Sequence, residues 1–158
     1  MITIDEFETF IQSNFVYQEN IISIIDDFGR QIFLDDLAQL HSNYGKTIKL
    51  ECMEKFNTKI YNYCNYLKRV YNHNGPVTCH LFKAYKNSKS FDTHIDLDDV
   101  LIYVVNGSKT FEFDKGQTTT LLAKETLFIP SGKKHKALNM EESIILSFGL
   151  EKFLIDKL

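Results

Sequence analysis

The chain has 158 residues and a formal net charge of −3, with 44% hydrophobic and 25% charged residues. These ordinary values predict a globular protein rather than a disordered one, and the length suits a single domain spanning residues 1–158. Arg30 and Arg69 are the only arginines among 18 basic residues. So few arginines in a mildly acidic chain argue against a nucleic-acid partner, which would require a basic face.

The predicted location is the cytoplasm. Residues 1–6 have no basic region and include two acidic residues, so we expect no signal peptide. The longest apolar runs, such as residues 100–105, are far shorter than the ~20 residues of a membrane span, which predicts no membrane partner. The three cysteines include no C-x-x-C pair, and we expect them to be reduced thiols.

The first half of the chain, residues 1–75, is predicted to be mainly helical. Thr3 or Asp5 could cap a short helix that ends near Ser13. Further helices are predicted over 34–40 and from Asn57 to about 71, with short strands over 21–25 and 48–50. Because such amphipathic helices cannot bury their apolar faces alone, we expect this half to pack as a helical buttress on the rest of the chain.

The second half, residues 76–150, is predicted to be a β-core. Segments rich in Val, Ile, Thr and Phe alternate with turn residues. The predicted strands are residues 78–84, 100–105, 108–113, 118–122, 127–130 and 143–148. Six short strands in so few residues favour a sandwich or jelly roll. The expected fold class is therefore mainly β with N-terminal helices.

Three residues are candidates for one metal site. His94 and Asp96 form an H-x-D pattern, and in extended chain residues i and i+2 point to the same face. His135 is the third candidate, because it follows a predicted strand through Pro130 and Gly132. Two histidines and a carboxylate form the facial triad of non-haem iron oxygenases, which leaves coordination positions open. An isolated H-x-D pair is common by chance, so the prediction depends on all three residues.

The segment from His94 to Phe111 resembles the signature of the JmjC/cupin-type 2-oxoglutarate oxygenases. It has H-x-D, then the acidic Asp99 before an apolar strand, then a Gly-x-Lys turn that places Lys109 13 positions after Asp96. Residues 127–135 resemble the "strand, Pro, Gly, x, x, His" segment of the same family. The likeness covers roughly residues 34–150 and points to the ribosomal-oxygenase and asparaginyl-hydroxylase branches.

This resemblance implies a double-stranded β-helix (cupin jelly roll) and an enzyme that is an Fe(II)- and 2-oxoglutarate-dependent hydroxylase. It implies that His94, Asp96 and His135 bind the iron, and it indicates no catalytic residue beyond these ligands. It also implies that Lys109 pairs with the distal carboxylate of 2-oxoglutarate. A compact cation on a long stem suits that task.

Three further residues match positions of the family pattern. Ser147 falls on the last core strand, where a small polar residue could bind the co-substrate or a water. A plain strand serine is an equally good interpretation. His80 falls on a strand entering the site and could line the pocket, although a core or edge histidine is an equal alternative. Asp99 matches an acidic position that could orient a ligand.

The expected substrate is a peptide side chain, an amino acid or a small metabolite, hydroxylated at a C–H bond. The alternatives are a cupin that binds without turnover, and a metal cupin of another class, such as an isomerase or a dioxygenase without 2-oxoglutarate. Lys109 favours the oxygenase, because neither alternative needs a cation there. Since burying an unpaired lysine is costly, we expect the Lys109 ammonium to contact Ser147, another hydroxyl or a water in the empty enzyme.

Overall fold

The computed structural model describes residues 1–157 as two antiparallel sheets, with helices packed on one face of the larger sheet. The helices are α1 (Ile4–Ile11), α2 (Phe15–Gln18), α3 (Leu37–Ser42) and α4 (Thr58–Val70). The strands are β1 (Ile22–Ile25), β2 (Gln31–Phe33), β3 (Thr47–Leu50), β4 (Val77–Ala84), β5 (Asp99–Glu112), β6 (Thr118–Leu122), β7 (Thr126–Ile129), β8 (Lys136–Leu138) and β9 (Ser143–Leu150). Short 3₁₀ turns cover Met53–Lys55, Asp114–Gly116 and Leu154–Lys157. Within residues 1–157, no helix has the length and apolar character needed to cross a membrane.

The long helix α4 shows how the sequence sets the helix bounds. The Asn57 side chain accepts a hydrogen bond from the Ile60 amide at 3.1 Å and caps the first turn. Ile60, Cys64 and Leu67 recur at helical spacing and are buried against the larger sheet. The chain leaves the helix at Asn72, whose φ of +48° lies in the left-handed region that asparagine tolerates. These features confirm the predicted third helix.

Strand β5 joins the two sheets. The larger sheet has the order β2-β1-β3-β4-β9-β5, and β7 pairs with the first half of β5. The second half of β5 lies between β6 and β8 in the smaller sheet. The two strands predicted over 100–105 and 108–113 are therefore one strand, and the turn expected between them is wrong. The reason is that β9 pairs with β5 on both sides of a bulge near Asn106, so the ladder is not interrupted.

The alternation of side chains in β9 separates two cores. Ile144, Leu146 and Phe148 pack with the helices on the outer face of the larger sheet. Ile145 belongs to a second apolar cluster between the two sheets, and Ser147 lines the cavity there. This two-residue period produces the interior of a double-stranded β-helix, which confirms the predicted fold class.

The description of residues 1–75 as a helical buttress is only partly correct. Helices α1, α3 and α4 are present, but this half also adds β1, β2 and β3 to the larger sheet, next to β4. The physical reason is that β1 is buried along its whole length, so its backbone N–H and C=O groups need hydrogen-bond partners on both sides, which β2 and β3 supply. Helix α2 and the short strands β2 and β8 were not predicted, because three or four residues carry too little periodicity to be recognised.

Deleting residues 1–50 should give insoluble or molten protein. The deletion removes β3 and exposes the paired edge of β4 over residues 81–83, and it removes buried side chains such as Phe7 and Ile22 from the outer core. The measurement is a thermal melt of the truncated chain with near-ultraviolet circular dichroism, beside the full chain. A soluble fragment of residues 76–158 that melts cooperatively would show instead that the β-half is autonomous.

Candidate metal centre and co-substrate pocket

The structure brings the three predicted metal ligands together. One ligand atom each of His94, Asp96 and His135 lies within 4.8 Å of the others. His135 Nε2 is 3.3 Å from Asp96 Oδ2, and His94 Nε2 is 3.8 Å from Asp96 Oδ1. Two imidazole nitrogens and a carboxylate thus converge on one point, and this donor set is one that divalent iron accepts. The triad is positioned to bind a metal ion.

Both imidazole rings are held by their other nitrogen. His94 Nδ1 is 2.8 Å from the Asp92 carbonyl oxygen, and His135 Nδ1 is 2.9 Å from the Lys133 carbonyl oxygen. A carbonyl only accepts hydrogen bonds, so each Nδ1 carries a proton, and Nε2 is the ring nitrogen left to face a metal. This is the usual outer support of a metal-binding histidine, because it fixes the tautomer and the ring orientation. The residues present therefore fit a bound ion.

Backbone hydrogen bonds align the segments that carry the triad. His94 and His135 form an isolated antiparallel bridge, in which the His94 amide donates to the His135 carbonyl (N to O, 3.1 Å) and the His135 amide donates to the His94 carbonyl (3.0 Å). The Gly132 amide donates to the Asp96 carbonyl, and the Ser131 amide donates to Asp99 Oδ1 at 2.8 Å. Asp99 therefore holds the loop that leads to His135 and does not contact a ligand side chain, which is an indirect form of the orienting role that the resemblance implied.

Burial and hydrogen bonding have opposite effects on the pKa values of Asp96 and His135. The hydrogen bond from His135 lowers the pKa of Asp96, against the effect of burial. Burial is the largest single effect on His135 and disfavours its charged imidazole, but the hydrogen bonds to Asp96 and to the Lys133 carbonyl, together with the charge of Asp96, raise its pKa overall. Because only neutral imidazole binds metal, a metal ion at this position would compete with a proton for His135.

Lys109 is buried in the interior of the barrel, as expected, but its partner differs from the expected one. The side chain is 3% exposed, and its ammonium donates to Asn139 Oδ1 instead of to Ser147 or another hydroxyl. The reason is that the turn between β8 and β9 brings Asn139 over the end of the lysine. Lys109 lines the same cavity as the triad.

Asn139 is a residue that sequence reasoning missed, because Asn139 was treated only as part of a turn. Its side-chain amide donates to the Ser88 carbonyl at 2.8 Å and to Ser90 Oγ at 2.9 Å. Thr47 Oγ1 lies 3.3 Å from the same amide nitrogen. These contacts fix the amide so that its oxygen faces Lys109. A buried polar side chain with every group paired holds one orientation, so the ammonium position is defined before any ligand binds.

His80 and Ser147 also line the cavity, which has a volume of about 280 Å³. They are register partners across β4 and β9. His80 Nδ1 lies 3.1 Å from the Cys52 amide nitrogen and 3.0 Å from Glu51 Oε2, so Nε2 is the ring nitrogen that remains available. Burial and then the charge of Lys49 lower the pKa of His80. The interior location agrees with the pocket interpretation of both residues, whose roles stay predictions.

The family resemblance implies that Lys109 binds 2-oxoglutarate, and on that expectation the affinity for 2-oxoglutarate should depend on the protonation of Lys109. Burial lowers the pKa of Lys109 from 10.5 to about 8, and a carboxylate binds only the ammonium form well. In Mn(II)-loaded protein the affinity should therefore fall by up to about tenfold per pH unit above pH 8. Calorimetric titration between pH 7 and 9.5 measures this, and a constant affinity over that range would contradict it.

The same shift predicts the direction of a stability change in the empty protein. Because the pKa of Lys109 is lower in the folded chain, the unfolded chain binds more protons between pH 8 and 10.5. The free energy of unfolding contributed by Lys109 should therefore rise with pH across that interval.

Comparisons with known proteins place the fold. Neither a family model nor a curated protein matches the chain. Among solved structures, the chain is similar to YcfD, a ribosomal oxygenase from Escherichia coli in complex with cobalt and succinic acid, with a TM-score of 0.70 and 13% identity. The similarity covers 99% of this chain but 45% of YcfD, so the chain spans just under half of that protein's length.

Two further solved structures match with lower scores. A cupin superfamily protein from Desulfitobacterium hafniense has a TM-score of 0.44 at 22% identity, over 48% of this chain and 68% of its own. The polyketide cyclase RemF from Streptomyces resistomycificus has a TM-score of 0.43 at 24% identity, over 46% and 53%. The arrangement of the strands is itself that of a double-stranded β-helix (cupin jelly roll), with a His-Asp-His triad positioned for a metal ion inside it.

Proposed function

We propose that the protein is an Fe(II)- and 2-oxoglutarate-dependent dioxygenase that hydroxylates a C–H bond. The observation that carries this proposal is that the His94–Asp96–His135 triad and the buried ammonium of Lys109 line one cavity. A metal site alone would not require a cation in the barrel interior, where burying a lysine is costly. A co-substrate that chelates a metal at one end and carries a carboxylate at the other would use both the triad and the Lys109 ammonium.

The residues of the chain would divide the work as follows. His94, Asp96 and His135 hold the iron on one face and leave its other positions open. Lys109 binds the distal carboxylate of 2-oxoglutarate and so orients the opposite end toward the metal. Iron with 2-oxoglutarate and O₂ supplies the oxidising chemistry, in which the co-substrate loses CO₂ and becomes succinate. The apolar interior cluster, which includes Val104 and Phe111, keeps bulk water away from that end of the cavity.

The ligands reported for YcfD support this proposal. Succinic acid is the product expected from 2-oxoglutarate, and cobalt is a divalent ion that binds to the same ligand types as iron. We propose that the substrate is a peptide side chain, an amino acid or a small metabolite, because a cavity of about 280 Å³ is at the lower end of small-molecule sites. We propose a cytoplasmic location and no nucleic-acid or membrane partner.

The test is the formation of succinate from 2-oxoglutarate by the purified protein with Fe(II) and ascorbate. We expect slow, O₂-dependent succinate formation even without the true substrate, and its loss in the Asp96→Asn variant. Asp92→Asn is the matched control for this variant, because Asp92 pairs with Lys89 and does not line the cavity; for lysine variants the control is Lys83→Met, since Lys83 is a largely covered lysine that pairs with Glu142 outside this cavity. Metal binding without any succinate above the Asp96→Asn background would contradict the proposal.

A metal-binding cupin that does not use 2-oxoglutarate is the second candidate. The observation in its favour is that the Lys109 ammonium donates to Asn139 Oδ1, so this lysine has a partner within the protein itself. The two candidates differ in one measurable property, which is the affinity of the Mn(II)-loaded protein for 2-oxoglutarate.

A further inference from the structure

A second lysine lies in the cavity wall formed by β3, and the proposed function gives it no role. Lys49 lines the cavity together with the triad and His80. Its side chain is 14% exposed, so most of it is out of water. The strand alternates, so Ile48 and Leu50 face the outer core while Thr47 and Lys49 face the interior. The alternation of side chains along β3 therefore directs the Lys49 side chain into the barrel.

The partners of Lys49 leave part of its ammonium unused. Its Nζ is 2.9 Å from Glu51 Oε1, and among residues 1–157 this is the one acceptor within ion-pair distance. An ammonium has three N–H donors, so two remain without a protein acceptor. The rings of Phe82 and Phe91 lie 5.7 and 5.8 Å from Nζ and hold the charge in place without accepting a conventional hydrogen bond.

Glu51 does not depend on Lys49 alone. Gln31 Nε2 also donates to Glu51 Oε1, at 2.7 Å. Gln31 also donates to Ser23 Oγ at 2.9 Å, which ties the carboxylate to β1. Glu51 is not part of the cavity lining. The carboxylate therefore holds the lysine from outside the cavity lining, and the cavity that Lys49 lines is where its remaining N–H donors can meet a ligand.

We propose that Lys49 is a substrate-binding residue that recognises a carboxylate, so that the primary substrate is an acidic molecule or carries an acidic side chain. The inference rests on the proposed function, because Lys109 then serves the co-substrate and leaves Lys49 for the second ligand. An ammonium with two free N–H donors favours a carboxylate as its ligand, because a charge-assisted hydrogen bond is about twice as strong as a hydrogen bond between neutral groups. The aromatic edge from Phe91 to His94, with ring centroids 6.3 Å apart, links this position to the metal side of the cavity.

The experiment compares propionate with propionamide as probes on protein saturated with Mn(II) and 2-oxoglutarate. The two probes have nearly the same shape and differ in charge. Paramagnetic relaxation of the probe methyl protons by Mn(II) reports both affinity and proximity to the metal. We expect propionate to bind about tenfold or more tightly than propionamide, and we expect this preference to be lost in Lys49→Met.

Two further variants keep the test decisive. Lys49→Met combined with Glu51→Gln removes both charges of the pair, and it should also lose the preference if the single variant folds poorly. Lys83→Met, the matched lysine outside the cavity, should keep it. Equal binding of the two probes to the unmodified protein would overturn the inference. Loss of 2-oxoglutarate affinity in Lys49→Met would overturn it as well, by assigning the residue to the co-substrate. Failure of the unmodified protein to bind Mn(II) or 2-oxoglutarate would instead contradict the proposed function.

Discussion

The Asp96→Asn variant should lose at least about 100-fold in affinity for Mn(II) or anaerobic Fe(II). Asp96 supplies the one negative charge of the triad, and its two oxygens lie 3.3 and 3.8 Å from the two imidazole Nε2 atoms. Asparagine keeps the shape of the side chain but offers a neutral carbonyl, which is a poor replacement for a carboxylate at a divalent ion. Calorimetry or the electron paramagnetic resonance signal of free Mn(II) measures the affinity.

The matched control for this variant is Asp92→Asn. Asp92 is exposed, pairs with Lys89, and contacts His94 only through its backbone carbonyl, which the substitution retains. Its metal affinity should stay within about twofold of that of the unmodified protein, since exposed charge changes have small effects. Unchanged affinity in Asp96→Asn, or an equal loss in both variants, would contradict the triad.

The Lys109→Met variant should retain metal binding and lose about 100-fold or more in affinity for 2-oxoglutarate. Breaking a buried ion pair by removing one partner costs ~3–5 kcal/mol, and each 1.4 kcal/mol is about tenfold in affinity. Lys109→Arg should also be impaired, because the planar guanidinium is bulkier than the ammonium that Asn139 positions. Calorimetry with Mn(II)-loaded protein gives both affinities in one preparation.

Lys83→Met serves again as the control, with 2-oxoglutarate affinity expected to match that of the unmodified protein. Equal affinity in Lys109→Met and the unmodified protein would remove the main support for the co-substrate. It would favour the cupin that binds metal without 2-oxoglutarate, in which the pair with Asn139 is purely structural.

The sequence was most informative where chemistry follows local spacing. His94 and Asp96 are two positions apart, so spacing alone predicted that they point the same way, whereas the convergence of His135 with them was implied by the family resemblance. The interior location of Ser147 likewise follows from the alternation within a single strand. In each case one short segment of chain determines the direction of the side chain.

The features that were not predicted from the sequence depend mainly on contacts between distant segments of the chain. Asn139 meets Lys109 and Ser90 only because the turn after β8 packs on the loop that precedes His94, and no local pattern signals such a contact. Lys49 did carry a usable signal, because it alternates with Ile48 and Leu50 in an otherwise buried strand. The bulge in β5 was missed because Asn-Gly is also a common hairpin turn, and only the unbroken pairing with β9 distinguishes the two.

The backbone bridge between His94 and His135 has a consequence for how tightly an ion can be held. The two segments are already joined by reciprocal hydrogen bonds in the empty chain, so the loop-closure entropy of bringing them together is lost during folding and not during metal binding. Metal binding then has little conformational entropy to overcome, so the measured affinity should approach the intrinsic affinity of the three ligands. The centre is preorganised, and metal uptake should resemble filling a rigid chelator rather than completing a fold.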